Sequence, residues 1–270
     1  MKSSSIENRM KNLIEESLIK VGVEQGDIVL VHSDSTVVRE ITGLKWAEAL
    51  NLLKDCFLNV LGESGTLIVP TFNWDFCNGK PYVHEKTRSQ VGMFTNNVLF
   101  DDRSLRSFHP IYSFAAIGPQ KEEIFSNISK SSFGKNSVFH KLHKLNAKII
   151  LFNFDLGTTF VHYVEQKLKV EYRYIKYFTG KVIKDSNEYE DTFDFFVRYL
   201  DRDVAVNLSK LHDYLHSTGK MKCVLLNEKY KLMQFRCNDI YQAVIGNLKT
   251  DPYFLLDYPP VINQSKYCSK

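Results

Sequence analysis

His162 and Glu165 lie three residues apart in a segment whose pattern predicts a helix, so both side chains leave one face. A carboxylate beside an imidazole holds one tautomer and raises its proton affinity, which suits a general base acting on an amine. The helix is expected to begin after Gly157-Thr158-Thr159, whose hydroxyls can cap it and whose amides point outward. The same spacing also describes a solvated polar pair on a helix surface. The threonine pair and the apolar strand before it favour chemistry.

Two further segments carry reactive side chains. In Arg106-Ser107-Phe108-His109-Pro110-Ile111-Tyr112-Ser113, the proline biases His109 toward extended backbone. His109 can donate to a carbonyl or phosphate of a ligand, or it can simply satisfy a backbone carbonyl. Arg106 can grip a phosphate or carboxylate with both arms, or bridge to Asp101 or Asp102. His32-Ser33-Asp34-Ser35 follows a buried strand and can hold an anion on hydroxyls and free amides, though it lacks the glycine spacing of a phosphate loop. His140 and His143 read as solvated, and His84, His212 and His216 show no evident partner.

The elements that must position these groups alternate. Apolar positions from Ile6 to Lys20 predict an amphipathic helix. Strands are predicted at Ile28–Val31, Leu67–Pro70, Phe114–Ile117 and Ile149–Phe154, with a helix opening at Thr42 or Gly43 and running through Leu58. This alternation indicates an α/β fold with a buried sheet, and ligands then sit beyond the carboxyl ends of the strands. Tyr172–Ile183 and Phe193–Arg198 look strand-like, Met221–Phe235 reads as a hairpin, and Asn238–Asn247 as a helix.

The chain has 270 residues, 44% of them hydrophobic and 24% charged, enough for one α/β domain or two closely packed lobes. We take residues 1–270 as a single domain with a core over about 13–175 and a C-terminal portion, about 176–270, packed on it. No apolar run reaches the ~18 residues of a membrane span, and the first residues lack a secretory signal, so a cytoplasmic location is expected. Five scattered cysteines (Cys56, Cys77, Cys223, Cys237, Cys268) contain no CxxC pair, which predicts reduced, mostly buried thiols and no structural zinc. The net charge of +4 is spread out, arguing against nucleic acid and suiting small anionic ligands.

Four segments in register resemble the aminoglycoside 3-N-acetyltransferase family. They are Val31-His32-Ser33, Gly65-Thr66-Leu67-Ile68-Val69-Pro70-Thr71-Phe72, Arg106 to Ser113, and Thr159-Phe160-Val161-His162-Tyr163-Val164-Glu165. The similarity runs from about Leu13 to Arg173, with an echo at Phe235–Asn247. The resemblance implies the antibiotic N-acetyltransferase fold, a central mixed sheet flanked by helices with a smaller C-terminal hairpin and helix. It implies acetyl-CoA as acyl donor, an amine as acceptor, and no metal. By position, His162 is implied as catalytic and Glu165 as its partner. Thr71, Thr159, His109 and Ser113 are implied to line the active site. His32, Ser33, Ser35 and Thr36, with Arg106 and Ser107, are implied to hold coenzyme A. Asp34 departs from the family's pattern and would repel a pyrophosphate unless it turns away.

Direct transfer is then expected, because no cysteine falls in the matched segments to carry a covalent acetyl group. For the acceptor, 35 Lys+Arg against 31 Asp+Glu is the wrong sign for a polycation, so a nucleotide-linked amino sugar for surface polysaccharide is the first expectation. An aminoglycoside, with antibiotic resistance as the outcome, is the alternative. Two rivals remain: a metal-dependent hydrolase built on His32, Asp34, His162 and Glu165, and a scaffold that keeps the fold without the chemistry. A homo-oligomer is compatible with the sequence.

Overall fold

The computed structural model describes residues 2–261; the predicted thiol Cys268 lies outside them. The chain runs α1 (Lys2–Val21), β1 (Ile28–Ser33), α2 (Thr36–Thr42), α3 (Trp46–Leu61), β2 (Thr66–Pro70), β3 (Tyr82–Val83), α4 (Met93–Leu99), β4 (Leu105–Arg106) and β5 (Phe114–Ile117). It continues through α5 (Lys121–Phe125), α6 (Val138–Lys144), β6 (Lys148–Phe152), α7 (Val161–Leu168), β7 (Arg173–Lys184) and β8 (Asn187–Arg198). It closes with α8 (Ser209–Ser217), β9 (Lys222–Leu225), β10 (Lys231–Arg236) and α9 (Cys237–Leu248).

Seven strands form one mixed sheet in the order β4-β5-β2-β1-β6-β10-β9. Its centre, β2-β1-β6, is parallel, and these strands are apolar on both faces because helices cover both sides. Leu30, Ile68, Ile149 and Leu151 face the layer that holds α6, α7 and α9. Val29, Val31, Leu67, Val69 and Ile150 face the layer of α1, α3 and α4. Period-two alternation thus sends one strand's side chains into two cores. The strand order reverses around β1, with β2 on one side and β6 on the other, so loops after these strands diverge and leave a crevice.

The C-terminal portion does more than pack on a finished core. Hairpin β9–β10 joins the main sheet, with Leu232, Met233 and Gln234 paired antiparallel to Phe152, Leu151 and Ile150. A second sheet, β3-β7-β8, carries the long ribbon that follows α7.

One helix departs from the sequence expectation. Gly43 does not open a helix; at φ 69° it ends α2, donating its N–H to the Arg39 carbonyl. The next helix starts at Trp46, with Glu48 accepting the Lys45 N–H at 3.1 Å. The seven-residue α2 escaped notice because its inward residues, Val37 and Val38, are β-branched and give no helical period. The expected solvation of His143 is also corrected, since its ring stacks on Tyr241 with centroids 4.0 Å apart. Among the described residues four cysteines are free thiols: Cys56 and Cys237 are buried, Cys77 is half-buried and Cys223 is exposed. No helix among the described residues is long and apolar enough to cross a membrane.

Candidate active site

The loop leaving β6 leads directly into α7, which sets His162 and Glu165 one turn apart. His162 Nδ1 lies 2.5 Å from Glu165 Oε2. A carboxylate only accepts, so Nδ1 carries the proton and Nε2 is left as the base. Glu165 is completely buried, yet it is not alone: the Tyr172 hydroxyl donates to Oε1 at 2.8 Å, and Arg173 Nε stands 2.9 Å from Oε2. Neither Tyr172 nor Arg173 was apparent from sequence. Lys169 ends α7 in the left-handed region at φ 54°, and that reversal brings the next few residues back onto the helix. A contact made by a turn leaves no periodic signal.

The carboxylate acts on the imidazole as expected, but other forces outweigh it. Glu165 was expected to raise the proton affinity of His162. It does so, but burial, followed by the Arg173 guanidinium, lowers it more and holds the imidazole below its ordinary value. Burial works against charge on Glu165, but His162, Arg173 and Tyr172 outweigh it and keep its pKa below the usual carboxylate range. The resting state is therefore Glu165 ionised, Arg173 charged and His162 neutral. Since the working form is the unprotonated imidazole, kcat/KM should be level at neutral pH and fall on acidification. The midpoint should lie below the ordinary imidazole pKa of about 6.5. A pH–rate profile with its midpoint above that value would show that the carboxylate dominates after all.

Beside His162 a cleft of about 290 Å³ opens at the carboxyl ends of β1, β2 and β6. Its walls are largely apolar, with Pro70, Phe72, Phe154 and Leu208 among them, and His32, Ser33 and Thr159 supply polarity. His32 Nε2 lies 3.1 Å from Thr158 Oγ1, and the ring stacks on Phe154 at 5.9 Å. Burial pushes its pKa down to about 4, so it is neutral. Thr158 Oγ1 also accepts the Phe160 N–H at 3.2 Å, which fixes the entry into α7. Gly157 holds φ 84°, and a Cβ there would sit 2.4 Å from Leu208 Cδ1. Gly157→Ala should therefore strain the backbone by about 1–2 kcal/mol and push Leu208 into the cleft. A raised KM for the donor, measured by steady-state titration, is the expected readout.

Several expected site residues lie elsewhere. Thr71 and Ser113 are fully buried and bond each other at 2.8 Å, away from the cleft lining. Arg106 spends two of its three nitrogens on the protein: Nη1 donates to the carbonyls of His84 and Thr87 at 2.9 and 2.6 Å, Nε donates to Ser113 Oγ at 3.1 Å, and Nη2 is left without a partner. Ser107 Oγ accepts the Phe114 N–H at 2.8 Å. His109 Nδ1 accepts the N–H groups of Ile111 and Tyr112 at 3.2 and 3.0 Å, and burial lowers its pKa to about 3. Most of this motif's polar atoms brace the turn after β4, while Arg106 Nη2 and His109 Nε2 are buried without a partner. Ser35 and Thr36 begin α2 outside the cleft. Asp34 turns away from it, accepting the Thr36 N–H at 3.1 Å and the Asn153 amide at 3.2 Å. With Asp34 so engaged and Glu165 committed to Arg173 and Tyr172, the His/carboxylate set of a metal-dependent hydrolase is not assembled. Among the described residues no three metal-ligating side chains converge.

A second cleft, about 530 Å³, opens on the other side of His162. It is walled by Arg173, Tyr174, Lys176 and Phe178 of β7 and by Phe195 and Arg198 of β8. Trp74, Tyr112, Val206 and His162 line both clefts and form the neck where they meet. Val206 carried no sequence signal, because single apolar side chains are common on any protein surface.

Two clefts converge on a neutral, carboxylate-oriented imidazole, an arrangement that lets two reactants meet at one base. The chain belongs to the aminoglycoside 3-N-acetyltransferase family, whose profile matches residues 30–248, and is thus an acetyl-CoA:amine acyltransferase. It is 27% identical over 255 residues to aminoglycoside N(3)-acetyltransferase IV of Salmonella sp., covering 90% of this chain and 88% of that one. Among solved structures, aminoglycoside acetyltransferase AAC(3)-Xa superposes with a TM-score of 0.76 at 14% identity, over 92% of this chain and 97% of that one. A binary complex of AAC-IIIb with CoASH superposes at 0.75 with 15% identity, over 89% and 96%. The α/β fold with a central mixed sheet flanked by helices is that of these enzymes.

Proposed function

We propose that the chain transfers the acetyl group of acetyl-CoA to an amine of an aminoglycoside-type amino sugar, with His162 as general base. The observation that carries this is the neutral imidazole at the neck, its Nδ1 proton held by a buried, ionised Glu165. The thioester supplies an activated acetyl group. His162 Nε2 takes the proton that the amine loses as its nitrogen bonds to the acetyl carbon, and Glu165 stabilises the imidazolium so formed; the carbon–sulfur bond then breaks, and the imidazolium returns that proton to the departing coenzyme A thiolate, which leaves as free thiol. Arg173 keeps Glu165 ionised between turnovers. Thr159, on the donor-cleft wall beside the helix start, is the hydroxyl assigned to the developing oxyanion, in place of the buried Thr71.

The smaller cleft suits the pantetheine arm of the donor. Its apolar walls match a thin, mostly uncharged chain, and His32 and Ser33 supply hydrogen bonds at its polar edge. Of the residues implied for coenzyme A, these two line the cleft, whereas Ser35, Thr36, Arg106 and Ser107 do not. For the acceptor, the family description and the Salmonella relative's name favour an aminoglycoside over the nucleotide-linked amino sugar expected from net charge. The test is release of free thiol from acetyl-CoA with a panel of aminoglycosides. Turnover that requires His162 supports the reading; no thiol release with any amine removes it.

A further inference from the structure

Tyr112 lines both clefts at the neck, yet only 6% of it is exposed. Its place is fixed from the backbone outward. The Tyr112 N–H donates to His109 Nδ1 at 3.0 Å, and the Ile111 carbonyl before it accepts the Asn73 N–H at 3.1 Å. The ring is then boxed by Phe72, Phe133 and Phe195, with centroids 4.5, 4.7 and 5.0 Å away. Phe133 also packs on the His162 ring at 5.5 Å, so phenol and imidazole lean on one aromatic side chain.

A buried tyrosine ordinarily gives its hydroxyl proton to an acceptor, as Tyr172 does to Glu165. Tyr112 does not. The side chain that hydrogen-bonds its oxygen is Trp74, and an indole N–H only donates. That bond occupies an oxygen lone pair, and no acceptor among the described residues takes the hydroxyl's own proton. Unlike Arg106 Nη2 and His109 Nε2, this hydroxyl is not sealed in the core, because Tyr112 forms part of the cleft wall. Burial pushes the phenol pKa up, so the proton stays on the oxygen at neutral pH.

We propose that Tyr112 is a catalytic residue whose hydroxyl donates a hydrogen bond to the carbonyl oxygen of the acetyl thioester as that oxygen gains negative charge. The inference rests on the acetyl-transfer reading and adds a second oxyanion donor to Thr159. As the amine nitrogen bonds to the acetyl carbon, the carbonyl electron pair moves onto oxygen. Tyr112 stabilises that charge while keeping its proton, and the pair returns as the carbon–sulfur bond breaks. The carbonyl oxygen is the fitting partner, since sulfur is a weak acceptor. A hydroxyl already oriented by Trp74 and held by three rings needs little reorganisation when the charge appears. His162 handles the amine's proton and Tyr112 the carbonyl's charge, so the two roles are separable by experiment.

Tyr112→Phe keeps the ring and its packing and removes only the donor. With kanamycin as acceptor and thiol release as the readout, it should lower kcat by about a hundred-fold. Both KM values should stay within about two-fold, and the acid limb of kcat/KM should remain where His162 sets it. Unchanged kcat overturns the proposal. So does a loss confined to the acceptor KM, which would assign the hydroxyl to the sugar, or an acid limb that moves, which would make it act through His162. If wild type releases thiol with no amine, the acetyl-transfer reading fails, and the infrared carbonyl stretch of bound acetyl-CoA decides this inference alone. A stretch that rises in Tyr112→Phe supports it; equal stretches, or no binding to wild type, overturn it.

Discussion

His162→Ala should lower kcat/KM by about two to four orders of magnitude, the usual worth of a positioned general base. Donor affinity should change little. The ring contributes one part of the neck between the clefts, while the apolar walls from Pro70 to Leu208 that hold the donor are untouched. The loss should therefore fall on kcat, not on the KM for acetyl-CoA, as expected when an interaction is made only in the transition state. Stability should hold as well, because the imidazole is neutral and its loss unpairs no cation. Glu165 retains Tyr172 and Arg173. Turnover of the variant within ten-fold of wild type, with the fold intact by circular dichroism, would mean that proton removal is done by another group.

Arg173→Met should show the second large effect, and in two measurements at once. Arg173 is nearly buried and Glu165 wholly so, so removing the guanidinium leaves a buried carboxylate with one hydroxyl and one neutral imidazole for company. Breaking a buried pair from one side costs about 3–5 kcal/mol, which chemical denaturation will read directly. The pH effect has a definite sign. Arg173 is one of the causes holding His162 low, and Glu165 is the cause that raises it. Without Arg173 the carboxylate recruits a proton onto the imidazole. The acid limb of kcat/KM then moves to higher pH, and neutral-pH activity falls. Were Arg173 merely structural, stability would drop while the pH profile of the surviving enzyme stayed in place. The two readouts separate a positioning residue from a packing residue.

The catalytic pair was legible because helical spacing is a local property. Two residues three apart on a helix face one way in any fold, and the apolar run Ile149–Phe152 before them announces a buried strand whose end must open on something. The parallel strands β1, β2 and β6 and the antiparallel β5 beside them were legible for the same reason: strands buried on both faces cannot avoid a continuous apolar run. For the Arg106–Ser113 motif the sequence left ligand binding and backbone bracing open side by side. Its residues do satisfy buried polar groups, but those groups are the protein's own carbonyls and amides, and residue type alone cannot say whose.

By itself, then, the sequence determined the α/β alternation, the His162–Glu165 pair and the family to which the chain belongs, because each is written in short-range pattern. Tertiary structure alone decided the rest. The turn at Lys169 returns Tyr172 and Arg173 to Glu165, and the pair's charge state is set by their field together with burial. The β7–β8 ribbon brings Lys176 and Arg198 to a cleft that no sequence window contains. Proton affinity and cleft charge are sums over neighbours in space, and folding is what chooses the neighbours.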